Sequence, residues 1–229
     1  LDEVNNCNKD KRVEFCQVDY IQEAQDFPQD APNDPNFLVN DRYARIHAPQ
    51  AWKKSLGEGI KIAVLDSGFY YIHEDLWENM YLNPGEFPGV DDNHDGRITL
   101  DELKAHGLGD TNHDGVIDYR DLYGSSFENH VDNDGNGYID DMLGWNTGNV
   151  TMTNENDDPT GRGTNNTFES SATNYHGTAV AGIVSAMGNN GVGIIGIAPK
   201  SLVIPVKITT GTSTGAPSSQ VAAGIKYAV

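Results

Sequence analysis

The strongest constraint on this sequence is a stretch of concentrated negative charge at residues 86–158. It holds 18 of the 34 acidic residues of the chain but only three of its 15 basic ones, Arg97, Lys104 and Arg120. A segment of this kind repels itself in a compact fold unless something neutralises its carboxylates. Cations are therefore expected partners, whereas the net charge of −19 disfavours electrostatic binding to a nucleic-acid backbone.

Three segments of this stretch have the spacing of calcium-binding loops, with carboxylate or amide side chains at positions one, three and five and glycine at position six. Position twelve is a glutamate in the first loop, an aspartate in the second and Leu143 in the third, so Asp140 or Asp141 must complete the third shell. Backbone carbonyls at position seven would add neutral ligands. The predicted ligands are Asp91, Asn93, Asp95, Arg97 and Glu102, then Asp110, Asn112, Asp114, Val116 and Asp121, and finally Asp132, Asp134, Asn136, Tyr138 and Asp141.

One cluster of Asp, Asn and Gly is more often a solvated turn than a metal site. Three matches within residues 91–141 favour Ca²⁺ as a cofactor, because bound cations would offset the repulsion within the stretch. We therefore expect an EF-hand-like calcium-loop insertion at residues 86–145, without the usual helix after the third loop.

Apolar runs on either side of the insertion predict alternating strands and helices. Residues 61–65 and 202–208 are predicted to be buried strands, and residues 176–187 and 221–229 to be helices. This alternation is typical of an α/β fold with a doubly wound, mainly parallel sheet. None of the apolar runs approaches the roughly 18 residues that a membrane span needs.

Two short motifs at the ends of these elements carry chemistry. Asp66, in Asp66-Ser67-Gly68, follows the first strand, at the edge where open α/β sheets place functional residues. His176 begins the first helix and is followed by small residues. Taken alone, Asp66 could cap a turn or act as a phosphotransfer nucleophile, and His176 could be structural.

Together the two motifs resemble the aspartate and histidine motifs of the subtilisin-like serine proteases (subtilases), and the resemblance extends over about residues 32–229. It implies that Asp66 is the triad aspartate, that His176 is the general base and that polypeptides are the substrates. It also implies a further calcium site formed by Asp75 and the loop containing Asn190. The competing hypothesis is a non-catalytic calcium-binding module or pseudoprotease with the same fold.

The nucleophilic serine of such a triad is harder to locate. Residues 211–217 match the family signature G-T-S-x-x-A-P, with Ser213 in the serine position. Only 36 residues lie between His176 and Ser213, too few for the strands that subtilases place there. We therefore expect the serine beyond Val229, in the remaining C-terminal half of the catalytic domain. The sheet would then be incomplete in this chain, and the chain alone would be inactive.

The first 30 residues are predicted to be a propeptide remnant with a linker, and residues 31–229 the N-terminal part of the catalytic domain. Residues 13–20 resemble the last strand of an inhibitory subtilase propeptide, a surface strand of the mature domain being the alternative. The Pro-rich residues 24–36 are a candidate cleavage zone. Cys7 and Cys16 form a local disulfide or are two free thiols. The resemblance implies a secreted or extracellular protein with its own propeptide as a partner.

Overall fold

In the described part of the chain, three parallel strands form the sheet that positions the candidate site. β1 (Lys61–Asp66) pairs with β3 (Leu202–Lys207), and β2 (Trp145–Asn146) pairs with the other edge of β3. The strand order is therefore β1-β3-β2. Apolar residues dominate β1 and β3, as expected for parallel strands that are covered on both faces.

The computed structural model describes residues 31–37, 41–148, 167–168, 175–209 and 215–229. The predicted strand at residues 13–20, both cysteines and Ser213 lie outside the described residues. Among the residues that are described, no helix is long and apolar enough to cross a membrane. The helices are α1 (Arg42–Arg45), α2 (Ala48–Trp52), α3 (Leu100–Ala105), α4 (His176–Ser185) and α5 (Ser218–Tyr227), with 3₁₀ turns at Trp77–Asn79, Pro84–Glu86 and Tyr119–Leu122.

Helices α4 and α5 pack on opposite faces of the sheet. Val64 of β1 is buried in the same apolar cluster as Ala181 of α4. The next residue, Leu65, lies on the other side, where its Cδ2 is 3.1 Å from the position that a Cβ on Gly224 of α5 would occupy. Successive side chains of a strand point to opposite faces. The parallel sheet with helices confirms the predicted α/β class.

The acidic insertion shares its core with the sheet. Many of its apolar side chains belong to the cluster that contains Val64 and Val203 of the two long strands; among them are Val90, Ile98, Leu103, Leu108, Leu122, Met142 and Leu143. Burial of these side chains supplies the hydrophobic free energy that holds the loops against the sheet. The acidic side chains are consequently held close to the rest of the fold rather than on a free arm.

The strands and helices predicted on either side of the insertion correspond to β1, α4, β3 and α5, with boundaries that differ by only a few residues. Helix α4 ends at Ser185, two residues before the predicted end, because Ala186 leaves the helical conformation with a ψ of 140°. Helix α5 begins three residues earlier than predicted. Strand β2 was not predicted, since two residues are too few to show a periodic pattern, and only pairing with β3 makes them a strand.

Candidate active site

Asp66 and His176 are brought together by the fold, although they are 110 positions apart in the sequence. His176 Nδ1 lies 2.8 Å from Asp66 Oδ1 and 2.9 Å from Asp66 Oδ2. The carboxylate is shielded, with 14% of the Asp66 side chain exposed, whereas 75% of the imidazole is exposed. An imidazole that donates from Nδ1 to a carboxylate has Nε2 available as a proton acceptor on its open side.

Two adjoining segments hold this pair in position. Asp66 is the last residue of β1, and His176 is the first residue of α4. The turn after β1 is fastened to α4, because Gly177 N donates to Ser67 Oγ (3.3 Å) and Tyr70 N donates to Thr178 Oγ1 (2.9 Å). The carboxylate and the imidazole are therefore carried by a strand and a helix that hydrogen bonds hold together.

Gly177 makes this close approach possible. A Cβ at this position would lie 2.3 Å from the carbonyl oxygen of Gly68 and 3.0 Å from Asp66 Cβ. Both distances are shorter than ordinary van der Waals contacts. Glycine thus allows the first turn of α4 to pack directly onto the end of β1.

The end of β3 supports the same turn from the other side. Ile208 N donates to the carbonyl oxygen of Asp66 (2.9 Å), and Thr209 Oγ1 donates to that of Ser67 (3.3 Å). Lys207, which lies beside Asp66 in the strand register, is buried, and its Nζ donates to the carbonyl oxygen of Phe168 (3.3 Å). The backbone on both sides of the Asp66 side chain is therefore fixed by hydrogen bonds.

The three acidic loops share one hydrogen-bond pattern. In each loop, the carboxylate at position one accepts a hydrogen bond from the backbone N–H of position six. The side chain at position three accepts from the backbone N–H of position five, and the side chain at position five accepts from the backbone N–H of position seven. The acceptors are Asp91, Asn93 and Asp95, then Asp110, Asn112 and Asp114, and then Asp132, Asp134 and Asn136. The donors at position seven are Arg97, Val116 and Tyr138, whose carbonyls were predicted ligands.

The first two loops differ at position twelve. Glu102 accepts hydrogen bonds from Thr99 N (2.9 Å) and Thr99 Oγ1 (2.7 Å) in the capping box of α3. Asp121 is buried and accepts from the backbone N–H groups of Thr111, Asn112 and Asp118. Burial alone would raise the pKa of Asp121, but these bonds outweigh it and hold the pKa below its usual value.

Arg120 partly neutralises the second loop from within. Its guanidinium lies 2.6 Å from Asp114 Oδ2 and 2.7 Å from Asp118 Oδ2. Asp114 is a predicted calcium ligand, and its Oδ2 already faces the positive charge of Arg120. The sequence offered no sign of this pair, because Arg120 lies outside positions one to seven of the loop.

At the third loop, the structure adds a residue that the sequence did not indicate. Carboxylate oxygens of Asp134 and Asp141 and of Glu86, from the 3₁₀ turn Pro84–Glu86, all lie within 4.8 Å of one another. Burial, together with the charges of Asp141 and Asp134, raises the pKa of Glu86 to about 8, and burial raises the pKa of Asp141 to about 7. Asp140 instead accepts from Asn129 N and His130 N.

Asp75 and Asn190 are also brought together. Asn190 Nδ2 donates to Asp75 Oδ1 (2.9 Å), and Ile194 N donates to Asp75 Oδ2 (3.0 Å). Asp34, which lies in the predicted cleavage zone, accepts from Asn189 N through Oδ2, while its buried Oδ1 has no partner among the described residues. Carboxylate and amide oxygens are the ligands that a hard cation prefers, so this set of donors fits Ca²⁺.

Comparison with known proteins supplies the family. The sequence profile of the subtilase family matches residues 57–229, a range that includes both Asp66 and His176. The chain belongs to the subtilase family. Membership agrees with the parallel sheet and with the positions of the aspartate at a strand end and the histidine at a helix start.

Several relatives of this subtilase chain carry protease names. It is 31% identical over 147 residues to Subtilisin-like protease 1 of Plasmodium falciparum (64% of this chain, 14% of that protein). It is 26% identical over 200 residues to the Extracellular basic protease of Dichelobacter nodosus (86% and 25%). The chain thus spans a quarter or less of these relatives. A solved protease of Pseudoalteromonas arctica aligns with a TM-score of 0.47 and 21% identity (85% of this chain, 43% of that one).

We expect Gly177→Ala to separate the two residues of the candidate site. The new Cβ would overlap the Gly68 carbonyl, so the first turn of α4 must move away from β1. Overpacking of this kind costs about 1–3 kcal/mol. Urea unfolding should show this loss, and a crystal structure of the variant should show a longer distance from His176 Nδ1 to Asp66.

Gly182→Ala is the matched control in the same helix. A Cβ there would meet only Ile194 Cδ1, at 3.8 Å. Alanine in a helix interior is favoured over glycine by about 0.5–1 kcal/mol, so this variant should be as stable as the parent or more stable. Equal stability of the two variants would contradict the close-approach argument for Gly177.

Proposed function

We propose that the protein containing this chain is a serine endopeptidase and that Asp66 and His176 are two members of its catalytic triad. The observation that carries the proposal is the hydrogen bond from His176 Nδ1 to the shielded Asp66 carboxylate, with the imidazole otherwise open to solvent. Membership of the subtilase family and the protease names of the relatives support the reaction class. Polypeptides are the proposed substrates.

The proposal gives each residue a distinct role. Asp66 holds the imidazole in the tautomer with hydrogen on Nδ1 and stabilises the imidazolium that forms when Nε2 accepts a proton. His176 Nε2 takes the proton of the nucleophilic serine as the serine attacks the peptide carbonyl, and then gives it to the leaving amine. A water molecule then releases the acyl group from the serine, with His176 again accepting and returning a proton.

We propose that the nucleophile is a serine other than Ser213. The proposal rests on the sequence argument, because the short interval after His176 leaves no room for the strands that subtilases place before the serine. A non-catalytic module or pseudoprotease is the alternative, but the intact Asp66–His176 pair gives it no support.

Asp66→Asn and His176→Ala should each lower kcat of the complete protein by a factor on the order of 10⁴ or more, because the first loses the correct tautomer and the second loses the base. Hydrolysis of a fluorogenic peptide measures the effect. His47→Asn is the matched control, since His47 is exposed and asparagine tolerates its left-handed backbone (φ 56°). Full activity of His176→Ala would refute the assignment.

We also propose that Ca²⁺ is a structural cofactor of this protein, bound at the three acidic loops and at Asp75 with Asn190. The repeated loop pattern, the oxygen-only donors and the buried unpaired Asp34 Oδ1 support this. Calcium would supply positive charge to carboxylates that otherwise repel one another. It takes no part in the proton transfers assigned to Asp66 and His176.

Removal of calcium should destabilise the complete protein. A ligand that binds only the folded state adds about 2.7 kcal/mol per site when its free concentration is 100-fold above the dissociation constant. Urea unfolding with and without EGTA tests this, and added Mg²⁺ should restore less stability than added Ca²⁺ because it requires tighter octahedral geometry. Identical unfolding curves with and without chelator would contradict the proposal.

We further propose that the protein is secreted and made with an inhibitory propeptide, in line with the relative that is named an extracellular protease. Residues 33–36 are tied to the loop at residues 189–193, because Asn36 N donates to the carbonyl oxygen of Gly193 and Gly191 N donates to Asn33 Oδ1. Within the predicted cleavage zone, a cut before Asn33 would keep these bonds in the mature protein.

A further inference from the structure

The third acidic loop lacks a carboxylate at position twelve, where Leu143 is a fully buried apolar residue. Asp140 is instead bonded to the segment before the loop, where its two oxygens accept from Asn129 N and His130 N. If a cation binds here, an oxygen from outside the loop can take the place of the missing position-twelve carboxylate. Glu86 is the residue that the fold places there.

Glu86 is an unusual carboxylate for this chain. It is 1% exposed, and its Oε2 is buried without a hydrogen-bond partner among the residues that the structure describes. Its Oε1 accepts one long hydrogen bond, from Asn133 N at 3.3 Å. A buried carboxylate oxygen with no partner is costly, so such an atom points to a missing ligand.

The distances suit a single ion. Oxygens of Glu86, Asp134 and Asp141 lie within 4.8 Å of one another. Calcium binds oxygen at about 2.3–2.6 Å, so two oxygens on the same ion are separated by at most about 5 Å. The spacing is therefore within the range that one calcium ion shared by all three carboxylates requires. Glu86 and Asp141 are buried and Asp134 is exposed, which leaves the site open to solvent on one side.

The segment that carries Glu86 is docked against the loop. Asn83 Nδ2 donates to Asp134 Oδ2 (2.9 Å) and to Asp141 Oδ1 (2.8 Å). Gly85 approaches so closely that a Cβ there would lie 2.4 Å from Asp134 Cβ. Any other residue at position 85 would push the turn away. The position of Glu86 beside the loop is therefore built into the local packing.

We propose that Glu86 is a calcium ligand that closes the third site together with Asp134 and Asp141. The inference rests on the proposed calcium binding and deepens it, because the closing ligand comes from upstream of the loop instead of from position twelve. The calcium-loop motif covers only the twelve residues that begin at Asp132, so it cannot identify Glu86.

The site also reaches α5. Asp141 is hydrogen-bonded to the Tyr227 side chain, and the Tyr227 ring packs against Tyr138 (4.9 Å between ring centroids) and Trp145 (6.3 Å). A calcium ion on Asp141 thus connects the turn at Glu86, the third loop and α5. Removal of the ion should speed amide hydrogen exchange in all three segments.

Glu86→Gln tests the proposal, because it removes the charge and preserves the shape. Calcium titration calorimetry on the complete protein, in a His176→Ala background that prevents self-digestion, should show one site lost or weakened at least about tenfold. Even residues behind a metal ligand typically affect binding by roughly 10–100-fold. Glu58→Gln, at an exposed glutamate that pairs with Lys200 outside the acidic insertion, is the matched control and should bind calcium like the parent.

Glu102→Gln, in the first loop, separates this inference from the general calcium proposal. If it weakens a site while Glu86→Gln leaves every site unchanged, the role of Glu86 is overturned and calcium binding stands. If the parent binds no calcium, both fail. Asp134→Asn, at the exposed member of the cluster, should weaken the same site, and its effect should not add to that of Glu86→Gln. If Glu86→Gln does not fold, Asp134→Asn still tests whether this cluster binds calcium.

Discussion

The contact between the end of β1 and the start of α4 is the interaction on which the candidate site depends. Two residues that are far apart in sequence meet there only because Gly177 lets backbone pack on backbone. Hydrogen bonds from Gly177 to Ser67 and from Tyr70 to Thr178 then fix the orientation. Asp66 and His176 are thereby held in one geometry before any substrate binds, which is the preorganisation that acid–base catalysis requires.

The acidic insertion solves a different physical problem, which is to keep many carboxylates in a compact fold. Its apolar residues join the core of the sheet, so the loops cannot simply separate to relieve repulsion. Part of the charge is handled internally, by Arg120 on Asp114 and by backbone N–H groups on Asp121. We propose that cations neutralise much of the rest, above all the buried group around Glu86.

The sequence predicted what depends on local patterns and missed what depends on packing. The apolar runs predicted β1, α4, β3 and α5, and the loop spacing predicted side chains that do share one turn geometry. Four features were missed because none of them follows from a local sequence pattern. They are strand β2, the ion pairs of Arg120, the position of Glu86 beside the third loop, and the contact of Asp34 with Asn189. The Asp66 and His176 motifs were identified only because the two together resemble a known family.

A crystal structure of the complete protein after reaction with a fluorophosphonate tests the central claim most directly. Such a reagent labels a serine only when a base has activated it. We predict one labelled serine, other than Ser213, with its Oγ within about 3 Å of His176 Nε2 while Nδ1 still donates to Asp66. Absence of labelling, or a labelled serine remote from His176, would contradict the account.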